Sequence, residues 1–217
     1  MVRYEFSTDP PAEAFSRNHW PSETSLGLDS SRPTLLFFVH PKCPCTRASV
    51  RELEKVLTGS GLREDQKPRV LVLAARPRTV SSEWHETDIL EKASGLPKSQ
   101  LILDLDGRET SRFGAVSSGT VMLFEPGGRR LFAGGVTASR GHEGDNAGRN
   151  ALRSLLAGEE KSELPSTPAF GCPLCLPGGD QQGCSRSCKT SGISRPQGIP
   201  PEFLRIRLQP RTDGETE

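Results

Sequence analysis

Two short, nearly unbroken apolar runs constrain this chain more than any other feature. They are Thr34–Val39 (TLLFFV) and Arg69–Ala75 (RVLVLAA). An alternating pattern marks a strand with one wet face, whereas a continuous run marks a strand covered on both faces, as parallel strands are. Between the runs, Arg47–Leu57 spaces Val50, Leu53, Val56 and Leu57 along one helical face. Strand, helix, strand implies a parallel pair joined by a crossover. Thr87–Ser94 predicts a second, weaker helix, and Leu101–Leu103 a short strand after it. Val121–Phe124 and Leu131–Ala133 flank Pro126-Gly127-Gly128, which predicts a hairpin. Ala147–Leu156 puts Ala151, Leu152, Leu155 and Leu156 on one face, with Gly158 where a helix-ending residue belongs. The expected class is α/β, a mixed sheet of parallel strands plus a C-terminal hairpin with flanking helices.

Composition says where this core stops. Hydrophobic residues are 33% of the 217, with 22 glycines and 18 prolines; ordinary domains reach about 45–50% apolar with glycine included. The shortfall lies at the ends. Residues 1–30 read as an extended polar lead-in, 31–160 as the folded domain, and 161–217 as an irregular Pro/Gly/Ser/Cys-rich tail. Such a tail buries too little apolar surface to offset its ordering entropy and is expected to be largely disordered. The charge of +1 speaks against nucleic-acid binding by bulk charge. No apolar run approaches the ~18 residues of a membrane span. The first twenty residues carry no apolar signal region, so as written the chain reads as cytoplasmic.

The chemistry centres on Cys43-Pro44-Cys45-Thr46, between the first strand and the first helix. Proline favours the first helical position, which puts Cys43 near the N-cap and Cys45 in the first turn. Orphan N–H groups and the helix dipole there favour a thiolate, and Lys42 and Arg47 add positive charge. Two thiols one residue apart can close into a strained, readily reduced disulfide. Either could be the nucleophile; Cys43 is preferred as the nearer to the orphan donors. The plainer alternative is a pair of small core residues. The same sheet edge should receive His40, the Trp84-His85 pair and the loop Val136–Asp145 with Arg140, His142 and Asp145. His142, oriented by Asp145, could serve as a base or a metal ligand, or could be a solvated loop residue beside an Asp145 helix cap. Soft thiolates with an imidazole suit Cu(I), so a copper-handling protein using Cys43, Cys45 and His142 is the alternative function. In the tail, Cys172, Cys175, Cys184 and Cys188 have four-thiolate zinc spacing, with only eight residues between the halves. They could equally form two disulfides, or Cys172 could resolve the first pair.

FFVHPKCPCTRAS followed by DLDGRETSRFGAVSSGTVMLFEPGGRRLFAGG resembles the thioredoxin fold in its TlpA-like thiol–disulfide branch. GGVTASRGHEGDNAGR with HPKCPCTRAS is similar, more narrowly, to RedB-type thioredoxin-like proteins. The likeness covers about residues 30–158 and TPAFGCPL at 167–174, which includes Cys172 but not Cys175, Cys184 or Cys188. It implies thiol–disulfide exchange with a protein thiol or disulfide partner, no required cofactor, and a periplasmic or membrane-associated place in a bacterium. The implied catalytic residues are Cys43 and Cys45, supported by Thr46, Gly119 and His142. Two departures stand out. Aligning a four-residue CxxC puts either Lys42 at the first cysteine or Thr46 at the second. The thioredoxin cis-proline falls at Gly119, which admits a close backbone but enforces no cis geometry. No PxxxTxxC precedes the helix, which weakens a peroxide-reducing reading.

Overall fold

The structure is a computed structural model and describes residues 18–59, 61–64, 67–159 and 164–175. Six strands form one sheet: β1 (Thr34–Val39), β2 (Arg69–Arg76), β3 (Ser99–Leu105), β4 (Val121–Phe124), β5 (Arg130–Gly134) and β6 (Ser166–Thr167), in the order β3-β2-β1-β4-β5-β6. β1 pairs parallel with β2, and β2 with β3, while β4 runs antiparallel to both β1 and β5. The parallel start and hairpin end are therefore both present. Among the described residues four α-helices accompany it, α1 (Thr46–Thr58), α2 (Asp88–Ser94), α3 (Arg108–Phe113) and α4 (Ala147–Leu156), with a single 3-10 turn at Ser82–His85.

The pleat of β1 shows why its run is unbroken. Leu35, Phe37 and Val39 enter one core with Val50, Leu53, Val56 and Leu57 of α1 and Leu152 and Leu156 of α4. Leu36 and Phe38 enter the opposite core with Phe113, Met122 and Phe124. Successive side chains face opposite ways along a strand, so a strand buried on both sides must be apolar throughout.

Three features differ from expectation. β3 is longer than Leu101–Leu103 because it lies at a sheet edge and is only partly buried, so few of its positions must be apolar. α3 was not foreseen. It is six residues long, too short for a legible period, and Asp104 sets its start by accepting from the N–H groups of Glu109 (2.9 Å) and Thr110 (2.8 Å). The ends are also better packed than composition implied. Trp20 lies edge-on against Phe113 and Phe124, and Glu109 accepts from Ser25 Oγ at 2.8 Å. Past residue 163, β6 pairs with β5, and Leu174 and Cys175 join the second core.

Candidate functional site

β1 ends at Val39, and the chain turns through His40–Cys45 into α1. Thr46, Arg47 and Ala48 donate their N–H groups to the carbonyls of Cys43 (3.1 Å), Pro44 (3.3 Å) and Cys45 (3.2 Å). A tight opening turn thus precedes the regular helix, which begins at Thr46 with Cys45 as its N-cap. The helix starts later than the proline suggested, because residues 43–45 spend their carbonyls on this turn.

Cys43 is fully buried, and donors converge on its sulfur. The Cys172 N–H donates to Cys43 Sγ at 3.2 Å. Hydrogen bonds from the Cys172 and Cys45 thiols and from Thr46 complete the set; against the opposing pull of burial, they hold the Cys43 thiol far below its ordinary value. The Cys45 thiol moves the other way, because it donates to Cys43, is partly buried and feels the Cys43 charge; Arg140 hydrogen-bonds it and opposes the rise. The pair therefore keeps its proton on Cys45 and its charge on Cys43. Cys43, Cys45 and Cys172 are all outside disulfides, whereas Cys175 is disulfide-bonded.

A buried relay stands behind Thr46. The His40 N–H donates to Ser118 Oγ at 2.8 Å, and Ser118 Oγ lies 2.7 Å from Thr46 Oγ1. The backbone N–H of His40, the Ser118 and Thr46 hydroxyls and the Cys43 sulfur thus form one buried chain, with Thr46 contributing to the lowering of the Cys43 thiol. Ser118 and Gly119 reach the site through the loop before β4, where the Gly119 N–H donates to Phe38 O at 2.9 Å. Gly119 has φ +92°, and an added Cβ would sit 2.9 Å from Ser49 Oγ, so glycine is required here. No cis peptide occurs among the described residues.

No protein-family model and no curated protein matches the chain. Among solved structures, an uncharacterized conserved protein from Geobacillus kaustophilus is 16% identical, covering 69% of this chain and 79% of its own, at TM-score 0.53. A hypothetical protein from Sinorhizobium meliloti is 20% identical, covering 69% and 82%, at TM-score 0.52. A secreted Mycobacterium tuberculosis disulfide oxidoreductase, covering 68% and 98% at 14% identity, has TM-score 0.41. The fold, by its own sheet order with parallel β1, β2 and β3 and antiparallel β4 and β5, is thioredoxin-like.

Other expected residues sit as follows. His40 is buried, accepts the Lys42 N–H on Nδ1 at 3.2 Å, and meets Trp84 edge-on. Trp84 donates Nε1–H to Ala75 O at 2.9 Å and carries Lys42 over its ring, while His85 is only half-buried beside it. Arg47 pairs with Asp88 at 2.9 Å rather than facing the thiols. His142 corrects the sequence reading. It is exposed, its Nδ1 lies 2.8 Å from Arg140 O, and Asp145 engages Arg149 instead. Asn146, not Asp145, caps α4 through the Arg149 N–H at 2.8 Å. Among the described residues no three His, Cys, Asp or Glu side chains are grouped to hold a metal ion, so Cys43, Cys45 and His142 do not come together as a copper set. Of the expected tail grouping Cys172, Cys175, Cys184 and Cys188, the last two lie outside the described residues, and Cys175 is disulfide-bonded.

Sequence reasoning missed Ser118 and Glu52. Glu52 is fully buried on α1 and accepts from the Gly144 N–H, Arg149 and Lys55 at 2.9, 2.9 and 2.8 Å, which ties the Arg140 loop to the helix. A carboxylate on the apolar face of α1 was the available signal.

Proposed function

We propose that this protein is a thiol–disulfide oxidoreductase with Cys43 as its attacking thiolate. The carrying observation is the buried Cys43 sulfur at the head of α1, met by donors from Cys172, Cys45 and Thr46. A thiolate so held attacks one sulfur of a partner protein's disulfide; that bond breaks, a mixed disulfide forms, and the other partner sulfur leaves as a thiol. A second cysteine then attacks Cys43 and releases the partner reduced; the reverse sequence oxidises a partner dithiol. Stabilising the reduced thiolate makes the cysteine pair more oxidising, so oxidation of partner dithiols is the favoured direction. Cys45 and Arg140 form the solvent side of the site, where a partner first arrives. No cofactor enters this reaction. A periplasmic or membrane-associated setting fits both the family resemblance and the Cys175 disulfide; among the described residues no helix is long and apolar enough to cross a membrane.

Differential alkylation with peptide mass spectrometry across a glutathione redox series tests this reading, with and without Cu(I). The expected outcome is reversible conversion of Cys43 between thiol and disulfide. Protection of Cys43 and Cys45 from alkylation by copper, with no bridge at any potential, would replace it with the metal reading.

A further inference from the structure

The segment carrying Cys172 is paired through its main chain with the loop before β4. The Ser118 N–H donates to Cys172 O at 2.8 Å, the Leu174 N–H donates to Val116 O at 2.9 Å, and Ser117 bridges Pro173 in antiparallel register. Main-chain pairing of this kind is how an extended peptide is held, with main-chain bonds giving affinity and side chains giving specificity. Its fit is tight: a Cβ at Gly171 would stand 1.9 Å from Ser118 O. Buried Leu174 and Cys175 anchor the far end in the second core. The register then delivers Cys172 onto Cys43, the deepest sulfur of the site.

We propose that residues 171–174 are a built-in substrate of this site, and that Cys172 is the thiol with which Cys43 forms its internal disulfide. The proposal rests on the oxidoreductase reading and adds to it both the resolving residue and the class of external partner, an extended chain presenting a cysteine. The favoured oxidation of a partner dithiol starts from Cys43–Cys172 and is the reducing sequence reversed. In the reducing direction, once Cys43 has opened a partner disulfide, Cys172 gives up its proton and attacks Cys43 Sγ. The mixed S–S bond breaks, the second partner sulfur leaves as a thiol, and Cys43–Cys172 forms. The partner disulfide gains two electrons and two protons, one proton from Cys172 and one from solvent; the two cysteines lose the electrons. Cys45 competes for Cys43, but the strap fixes the Cys172 backbone against it. An external chain needs the Ser118 N–H and Val116 carbonyl that the strap now holds, so the strap must lift before that chain can dock.

The test oxidises the full-length protein with glutathione disulfide and maps bridges by non-reducing proteolysis and mass spectrometry. Cys45→Ser should yield a Cys43–Cys172 cross-link, and Cys172→Ser only Cys43–Cys45. Gly171→Val, which drives the strap from Ser118, should abolish the Cys43–Cys172 link and speed Cys43 alkylation at least tenfold. A wild type that makes Cys43–Cys45 while Cys45→Ser leaves Cys172 alkylatable would overturn the strap proposal and leave the oxidoreductase reading intact. Absence of any Cys43 bridge in the wild type would overturn both.

Discussion

The Cys43 sulfur depends on groups that are small, neutral and individually weak. Thr46 shows this best. Replacing it with isosteric valine removes one donor from Cys43 and takes away the hydroxyl partner of Ser118. One hydrogen bond to a charged group is worth about 1.5 kcal/mol, near one pH unit of thiol titration. Thr46→Val should therefore raise the Cys43 midpoint by about one unit and slow its exchange at acidic pH up to tenfold, with circular dichroism unchanged. An unaltered pH profile would show that Thr46 is only a packing residue. The sequence made Cys43, Cys45 and Thr46 legible because a buried strand running into a helix fixes where CPCT sits. It left Ser118 hidden, since a serine in a loop carries no periodic signal, and it left His142 open between a base and a solvated loop residue, the second of which the structure bears out through the bond to its own loop backbone.

Among the elements, α1 and α4 with the loop between β5 and α4 share one electrostatic joint. Burial works to raise the Glu52 carboxyl, but its bonds to Lys55, the Gly144 N–H and Arg149 outweigh that and hold it below the usual range. A carboxyl lowered on folding contributes stability that is complete above its unfolded value and lost as pH falls through its folded one. Glu52→Gln should destabilise the protein by about 2 kcal/mol at neutral pH. The deficit should narrow below about pH 4, where wild-type Glu52 also takes up its proton. Denaturant melts at pH 7 and pH 3.5 check this, and equal deficits at both would contradict it. Elements set by tertiary burial, β1, β2, α1 and α4, were readable to within a residue or two, because continuous and 3.6-residue patterns are long there. α3 and β6 were not, being fixed by Asp104 and by the neighbouring strand rather than by their own composition.

At the scale of the whole molecule, redox state and stability are linked. A thiol whose folded value lies below its unfolded one stabilises the fold fully above the unfolded value, and that stabilisation declines as pH falls. Reduced protein should thus gain stability over the Cys43-bridged form as pH rises from 5 to 8, by up to ~1.4 kcal/mol per pH unit. A gap that does not change with pH in paired melts would contradict this. The tail, read from composition as irregular, supplies the second partner of the site because a few residues, Gly171, Cys172 and Leu174, are fitted to a loop far away in sequence. Composition averages over such fits and cannot reveal them. The most direct measurement is the thiolate absorbance at 240 nm, titrated from pH 3 to 9 for the reduced wild type and Cys43→Ser. The account predicts one thiolate persisting well below pH 6 that the serine variant lacks. Identical traces with no absorbance below pH 7 would contradict it.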